Sequence, residues 1–151
     1  MDNKKIVAVN RKAKHDYALF DRYEAGLVLT GTEIKSLRMG KVQFKDAYVS
    51  FVDNEAFIKE MHIAIFKEGN IFNHDETRVR KLLLNKMEII KLQQKVNTQG
   101  YTIVPLSIYL KNGRAKMEIA LAKGKSLYDK RQTEKERSAK REIQKAMKNN
   151  Y

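Results

Sequence analysis

Residues 101 to 121 read YTIVPLSIYLKNGRAKMEIAL. Ala115, Met117, Ile119 and Leu121 alternate with Arg114, Lys116, Glu118 and Ala120, the period-two pattern of a half-buried strand. Upstream, Thr102, Val104, Leu106, Ile108 and Leu110 form one face of a second strand. Asn112-Gly113 lies between them, and this dipeptide suits the positive φ angles of a two-residue hairpin turn. Pro105 has no amide to donate, so its strand is expected to lie at an edge or to carry a bulge there.

Further hairpins are expected on either side. In residues 47 to 65, Ala47, Val49 and Phe51 precede a turn at Asp53-Asn54, and Phe57, Met61, Ile63 and Ile65 follow at even spacing. Residues 16 to 30 offer a third pair, Tyr17 to Phe20 and Leu27 to Thr30, with Gly26 near the bend. Two helices interrupt the strands. One covers about 33 to 39, capped by Thr32 and ended by Gly40, with Ile34 and Leu37 inward and Lys35 and Arg38 on another side. The other covers about 86 to 97, where Asn85 and Glu88 match a capping box. Ile89, Leu92 and Val96 recur there at helical spacing, and Asn97 and Gly100 mark the exit. Six antiparallel strands in about 110 residues predict a mainly β fold closed into a small barrel, since closure removes exposed edges.

The chain has 151 residues, 31 Lys plus Arg against 18 Asp plus Glu, and a net charge of +13. That length suits one domain with a tail, divided here into 1–122 and 123–151. Residues 133 to 148, TEKERSAKREIQKAMK, are good helix formers with a thin apolar stripe of Ala139, Ile143, Ala146 and Met147. Such a helix has little to bury, so the basic tail is expected to be disordered when free and helical against a partner. The absence of cysteine removes disulfides, thiol catalysis and thiolate metal sites. No apolar run approaches a membrane span, and Met1-Asp2-Asn3-Lys4-Lys5 lacks a leader's apolar segment. A soluble cytoplasmic protein is expected.

No catalytic arrangement stands out. His15, His62 and His74 form no helical metal-binding pair, and no phosphate-cradling or nucleophile motif is present. His62 reads as a structural histidine within a strand, and His74 as a solvated one in a polar loop. An enzyme, a cofactor and a metal are therefore not expected. Charge favours a polyanion, nucleic acid first and membrane headgroups second. A membrane-surface helix would need a broader apolar face than the tail offers.

Three clusters carry the charge. The first is Asn10-Arg11-Lys12-Ala13-Lys14-His15-Asp16-Tyr17, in which cations can meet phosphates while His and Tyr rings stack on unpaired bases. The second is Arg78-Val79-Arg80-Lys81. The third is Lys123-Gly124-Lys125-Ser126-Leu127-Tyr128-Asp129-Lys130-Arg131. Each alone could be a solvated charge run; together, on one small basic domain, they favour RNA.

The motifs NRKAKHDY (10–17), GLVLTGTEIKSLRMGK (26–41), DAYV (46–49), RVRKLLLNKMEI (78–89), GYTIVPLSIYLKNGRAK (100–116) and LAKGKSLYDKR (121–131) closely resemble the SmpB family, the bacterial partners of transfer-messenger RNA. The resemblance covers nearly the whole chain. It implies an OB-like antiparallel barrel of six strands with flanking helices, and a role in trans-translation. It also implies binding to the tRNA-like domain of that RNA, and delivery of its alanyl form with EF-Tu and GTP to stalled ribosomes. The tail would enter the decoding centre and the empty mRNA channel, against ribosomal RNA.

By motif, the family's RNA-binding glutamate falls on Glu33, with Lys35 and Arg38 beside it. Replacing Glu33 is then expected to weaken RNA binding and leave the fold intact. Leu83 and Asn85 follow from RKLLLN, although Leu83 could be core and Asn85 a helix cap. Asn10, Arg11, Lys12, His15 and Tyr17 are further RNA candidates, with Arg78, Arg80, Lys81, Lys123, Gly124 and Lys125. In the tail, Asp129, Lys130 and Arg131 match the family's decoding-region motif, and Met147 and Lys148 a later one. Tyr128 stands where some members have a stacking histidine; it can stack but not become cationic near neutral pH. Glu76 stands where some members have proline, which is expected to loosen the loop before the second helix. Asn85 stands where some have histidine.

Overall fold

The computed structural model describes residues 4–67 and 73–125. In chain order the elements are β1 (Lys4–Val9), α1 (Arg11–Asp16), β2 (Tyr17–Leu27), α2 (Gly31–Arg38), β3 (Val42–Gln43), β4 (Tyr48–Val52), β5 (Glu55–Lys59), β6 (His62–Ile63), β7 (Arg80–Leu83), α3 (Lys86–Gln99), β8 (Thr102–Lys111) and β9 (Arg114–Gly124). Seven strands form an antiparallel sheet in the order β1-β8-β9-β2-β7-β5-β4, and β3 and β6 form a separate pair.

The β8–β9 hairpin forms where the sequence places it, with Asn112 and Gly113 at φ 52° and 78°. Pro105 faces Ile119 and Ser107 faces Glu118, so Leu106 is an extra residue. This is the bulge expected beside the proline, but the strand is internal, with β1 on one side and β9 on the other. The extra residue also corrects the single apolar face. Ile103 and Ile108, of opposite parity, both enter the main core, while Val104 and Leu106 join Ala13, Ala120 and Ala122 in a second cluster. The small residues of β9 let α1 sit close to the sheet, a helix not anticipated in the basic arm. Asn10 caps α1 by accepting the Ala13 amide at 3.1 Å, and its own side-chain amide donates to the Pro105 carbonyl at 2.8 Å.

The six-stranded closed barrel is not what forms. β1, unanticipated, pairs along Ser107–Lys111 of β8, and the Asn10 backbone amide donates to Leu106 O. On that edge β1 leaves only the start of β8, Thr102 to Pro105, for β4. β4 comes close to the start of β8 beside a cleft lined by Tyr48, Phe51, Gln93, Asn97 and Tyr101, but among the described residues no ladder joins them.

The expected pair in 16–30 is instead one long strand, β2, against β9 and β7. Gly26 makes no bend. It lies in the strand because a Cβ there would come within 3.1 Å of Leu83 Cβ. The β4–β5 hairpin turns at Asp53-Asn54, both at positive φ. After it the even spacing fails: Ala56 and Ile58 are buried and Phe57 only partly so. Glu60, at φ 66°, ends the strand, and the alternation restarts out of phase at Met61 and Ile63, both fully buried.

α2 begins earlier than expected and is capped by Thr30, not Thr32. Thr30 Oγ1 accepts the Glu33 amide and Glu33 Oε1 accepts the Thr30 amide at 2.9 Å, a reciprocal capping box. α3 has the anticipated Asn85–Glu88 box and ends at Gly100, φ 70°.

Candidate nucleic-acid interface

The first cluster and the described part of the third, Lys123 to Lys125, meet at one end of β2. Tyr17 pairs with Gly124 and Ala18 with Lys123, so the N-terminal arm and the root of the tail lie side by side. Arg11, Lys12, Lys14, His15 and Lys125 are exposed there. Lys12 reaches Asp46 at 2.9 Å and His15 reaches Asp16 at 3.0 Å. Lys123 Nζ lies 4.4 Å from the centre of the Tyr101 ring, which stands edge-on to Phe20. Asn10 differs from its neighbours: it is buried and both ends of its amide are used within the protein.

The second cluster gathers at the other end, roughly 30 Å away along an 11-residue strand. Glu33 is fully buried. Its carboxylate accepts from Arg80 Nε at 2.5 Å and from Arg78 at 2.6 Å. Burial pushes this carboxyl up; hydrogen bonds from Arg78, the Thr30 amide and Arg80, with the Arg80 charge, outweigh it and hold the pKa at about 2. Arg80 is also fully buried and donates to the carbonyls of Met61 (2.7 Å) and Glu76 (3.0 Å). Of the three, Arg78 alone is partly exposed. Lys35 and Arg38 are exposed on α2, Lys35 over the Phe66 ring. Lys81 pairs with Glu55 at 3.1 Å. Leu83 is 55% exposed beside Asn85, whose side chain accepts the Glu88 amide at 2.9 Å.

The segment preceding β7 is pinned, not loose. The Ile63 amide donates to Glu76 O, and the Glu76 carboxylate meets His62 Nε2 at 2.8 Å, which gives His62 the structural role expected. His74 is no solvated residue. Its Nε2 donates to the Ile63 carbonyl at 2.9 Å, and its Nδ1 hydrogen-bonds the Thr32 hydroxyl at 2.9 Å. His74 thereby ties this segment to the start of α2. Thr30, Thr32 and His74 were missed as site-building residues because their partners are distant in sequence; the spacing of Thr30 and Glu33, a capping-box pattern, was the one legible signal. Tyr128, Asp129, Lys130, Arg131, Met147 and Lys148, with the helix expected at 133–148, lie outside the described residues.

Among the described residues no helix is long and apolar enough to cross a membrane, and no group of three or more acidic or histidine side chains could hold a metal ion.

The sequence profile of the SmpB protein family matches residues 7–149. An SsrA-binding protein of Sulfurihydrogenibium sp. (strain YO3AOP1) is 56% identical over 146 residues, covering 97% of this chain and 96% of that protein. One from Clostridium tetani is 53% identical over 144 residues, covering 95% and 92%. A solved chain described under "tmRNA-SmpB: a journey to the center of the bacterial ribosome" superposes with a TM-score of 0.67 at 46% identity, over 78% of this chain and 83% of that one. With a profile match and relatives above half identity spanning almost its full length, the chain belongs to the SmpB family.

Proposed function

We propose that the protein is an RNA-binding adaptor of trans-translation. It holds the tRNA-like domain of transfer-messenger RNA and helps EF-Tu-GTP deliver the alanyl form to stalled ribosomes in the cytoplasm. Its tail, residues 123–151, then occupies the decoding centre and empty mRNA channel. The reading assigns it no reaction and no cofactor. It rests on family membership and on names: the relatives are SsrA-binding proteins, and the solved neighbour is described with transfer-messenger RNA and the ribosome. The observation that carries it is the register of Tyr17 against Gly124. That pairing joins an exposed basic arm to the root of a basic tail, so RNA held on the body and RNA reached by the tail are linked through one strand pair. An OB-like relation of the sheet is supported by β4 and β8 flanking a common cleft.

In this reading Arg11, Lys12, His15, Tyr17, Lys123 and Lys125 engage RNA directly, as do Lys35, Arg38, Arg78, Lys81, Leu83 and Asn85. Glu33, Arg80 and Asn10 act as positioning residues; Glu33 influences RNA by fixing Arg78.

The test is binding to the isolated tRNA-like domain and to ordinary tRNA across a salt series. Both affinities should fall with salt through counterion release. Preference for the tRNA-like domain by about tenfold, roughly 1.4 kcal/mol, supports the adaptor. Coincident curves would leave a general RNA binder. Truncation after Lys125 should keep this preference and abolish tagging on stalled ribosomes.

A further inference from the structure

Apart from Leu83, one strip of the sheet's outer face has no role assigned so far. Gly26 of β2 pairs with Leu83 of β7 on one side and with Lys116 of β9 on the other. Lys116 pairs in turn with Tyr109 of β8, and Tyr109 with Ile6 of β1. Directly opposed residues project to the same face, so these positions form one row across five strands. Leu83 and Lys116 are two strand spacings apart, roughly 10 Å, with no side chain at Gly26 between them. The neighbouring row, Lys4, Lys111 and Arg114, stands on the same face.

The charges here are organised. Tyr109 is 2% exposed yet belongs to neither apolar cluster; it is covered from the solvent side by Lys4, whose Nζ stands 4.1 Å from its ring centre. Its hydroxyl donates to Glu24, and Lys111 approaches the same carboxylate at 3.7 Å. Two carboxylates share this face, and both are already engaged: Glu24 by Tyr109 and Lys111, and Glu118, its opposite on β9, by Arg22 at 3.4 Å. Edge protection accounts for Lys4. It does not account for Lys116, which sits on an inner strand between β8 and β2.

We propose that Lys111, Arg114 and Lys116 form a further RNA-backbone surface, continuous across Gly26 with the one at Leu83 and Asn85. This rests on the adaptor reading, which puts RNA at Leu83. The ligand is the phosphate backbone of folded RNA, from transfer-messenger RNA or from ribosomal RNA.

The experiment uses the full chain with Lys111→Gln, Arg114→Gln and Lys116→Gln combined. A control removes three cations elsewhere, Lys41→Gln, Lys59→Gln and Lys91→Gln. Melting temperature verifies that both triples fold. Each is titrated across salt with the isolated tRNA-like domain and, separately, with small ribosomal subunits. The hairpin triple should bind at least about tenfold more weakly on one arm, its log–log salt slope shallower by roughly 2 to 3, with the control near the parent. Loss on the first arm identifies transfer-messenger RNA as the source; loss on the second alone identifies ribosomal RNA. Equal losses from both triples, or none from the hairpin triple on either arm, overturn the proposal. The unaltered protein's preference for the tRNA-like domain over ordinary tRNA is read in the same titrations, so failure of the adaptor reading is seen separately.

Discussion

The two ends of β2 carry basic clusters built in opposite ways. At the Tyr17 end the cations of α1 stand in solvent, and their acidic partners, Asp46 and Asp16, are on the surface too. At the Leu27 end two arginines converge on one buried carboxylate, and only Arg78 retains surface. Exposed ion pairs contribute little to stability and are readily exchanged for phosphate contacts. A buried pair is costly to break because the survivor is left charged without a partner. The first end supplies adaptable charge; the second fixes where α2 and the segment before β7 stand.

The sharpest break of this contrast is at Glu33. Glu33→Ala strands Arg80 and should destabilise the fold by about 3–5 kcal/mol in urea melts, contrary to the expectation of an intact fold. A loss below about 1 kcal/mol would mean that the buried end is not held by this pair. Acid provides a milder version. The Glu33 carboxyl is depressed from 4.5 to about 2, so its contribution is complete above pH 4.5 and disappears as pH falls towards 2. Integrated, this is about 3 kcal/mol. Glu33→Gln should flatten that limb of the pH–stability curve, and an unchanged limb would assign it to other carboxylates.

Smaller effects separate scaffold from contact at the exposed end. Asn10→Ala removes a helix cap and leaves the Pro105 carbonyl without its donor, about 2 kcal/mol in thermal or urea unfolding. Gly26→Ala pushes against Leu83 and should cost about 1 kcal/mol, with RNA affinity falling further than the melting shift explains. Arg11→Ala with Lys12→Ala should leave the melting temperature in place and weaken RNA binding severalfold; a shift in melting with unchanged affinity would reverse the roles of the two ends.

Legibility in the sequence followed the range of the interactions. The β8–β9 hairpin, its bulge, the Asp53-Asn54 turn and the Asn85 cap depend on neighbours in the chain and were readable. The continuous β2, the pairing of β1 with β8 and the open edge at β4 depend on which strand finds which, and local alternation does not encode that. Gly26 was misread as a bend because a glycine needed for close approach looks the same in sequence as one needed for a turn. The family motifs located Glu33, Leu83 and Asn85. They did not reveal that Glu33 is sealed beneath Arg78 and Arg80, since burial of a carboxylate is set by partners 45 and 47 residues away.

The extra residue at Leu106 makes the length of β8 a fixed quantity. Ile103 and Ile108 reach the same core only because one residue between them is left out of the pairing. Deleting any residue of Val104–Ser107 would restore strict alternation, turning one isoleucine to water or withdrawing the floor on which Ala13 rests. Insertions at the Asn112-Gly113 tip leave both parities untouched. Changes of chain length in this hairpin are therefore confined to its tip, and a probe inserted there would report on the surroundings of Arg114 without disturbing the core beneath.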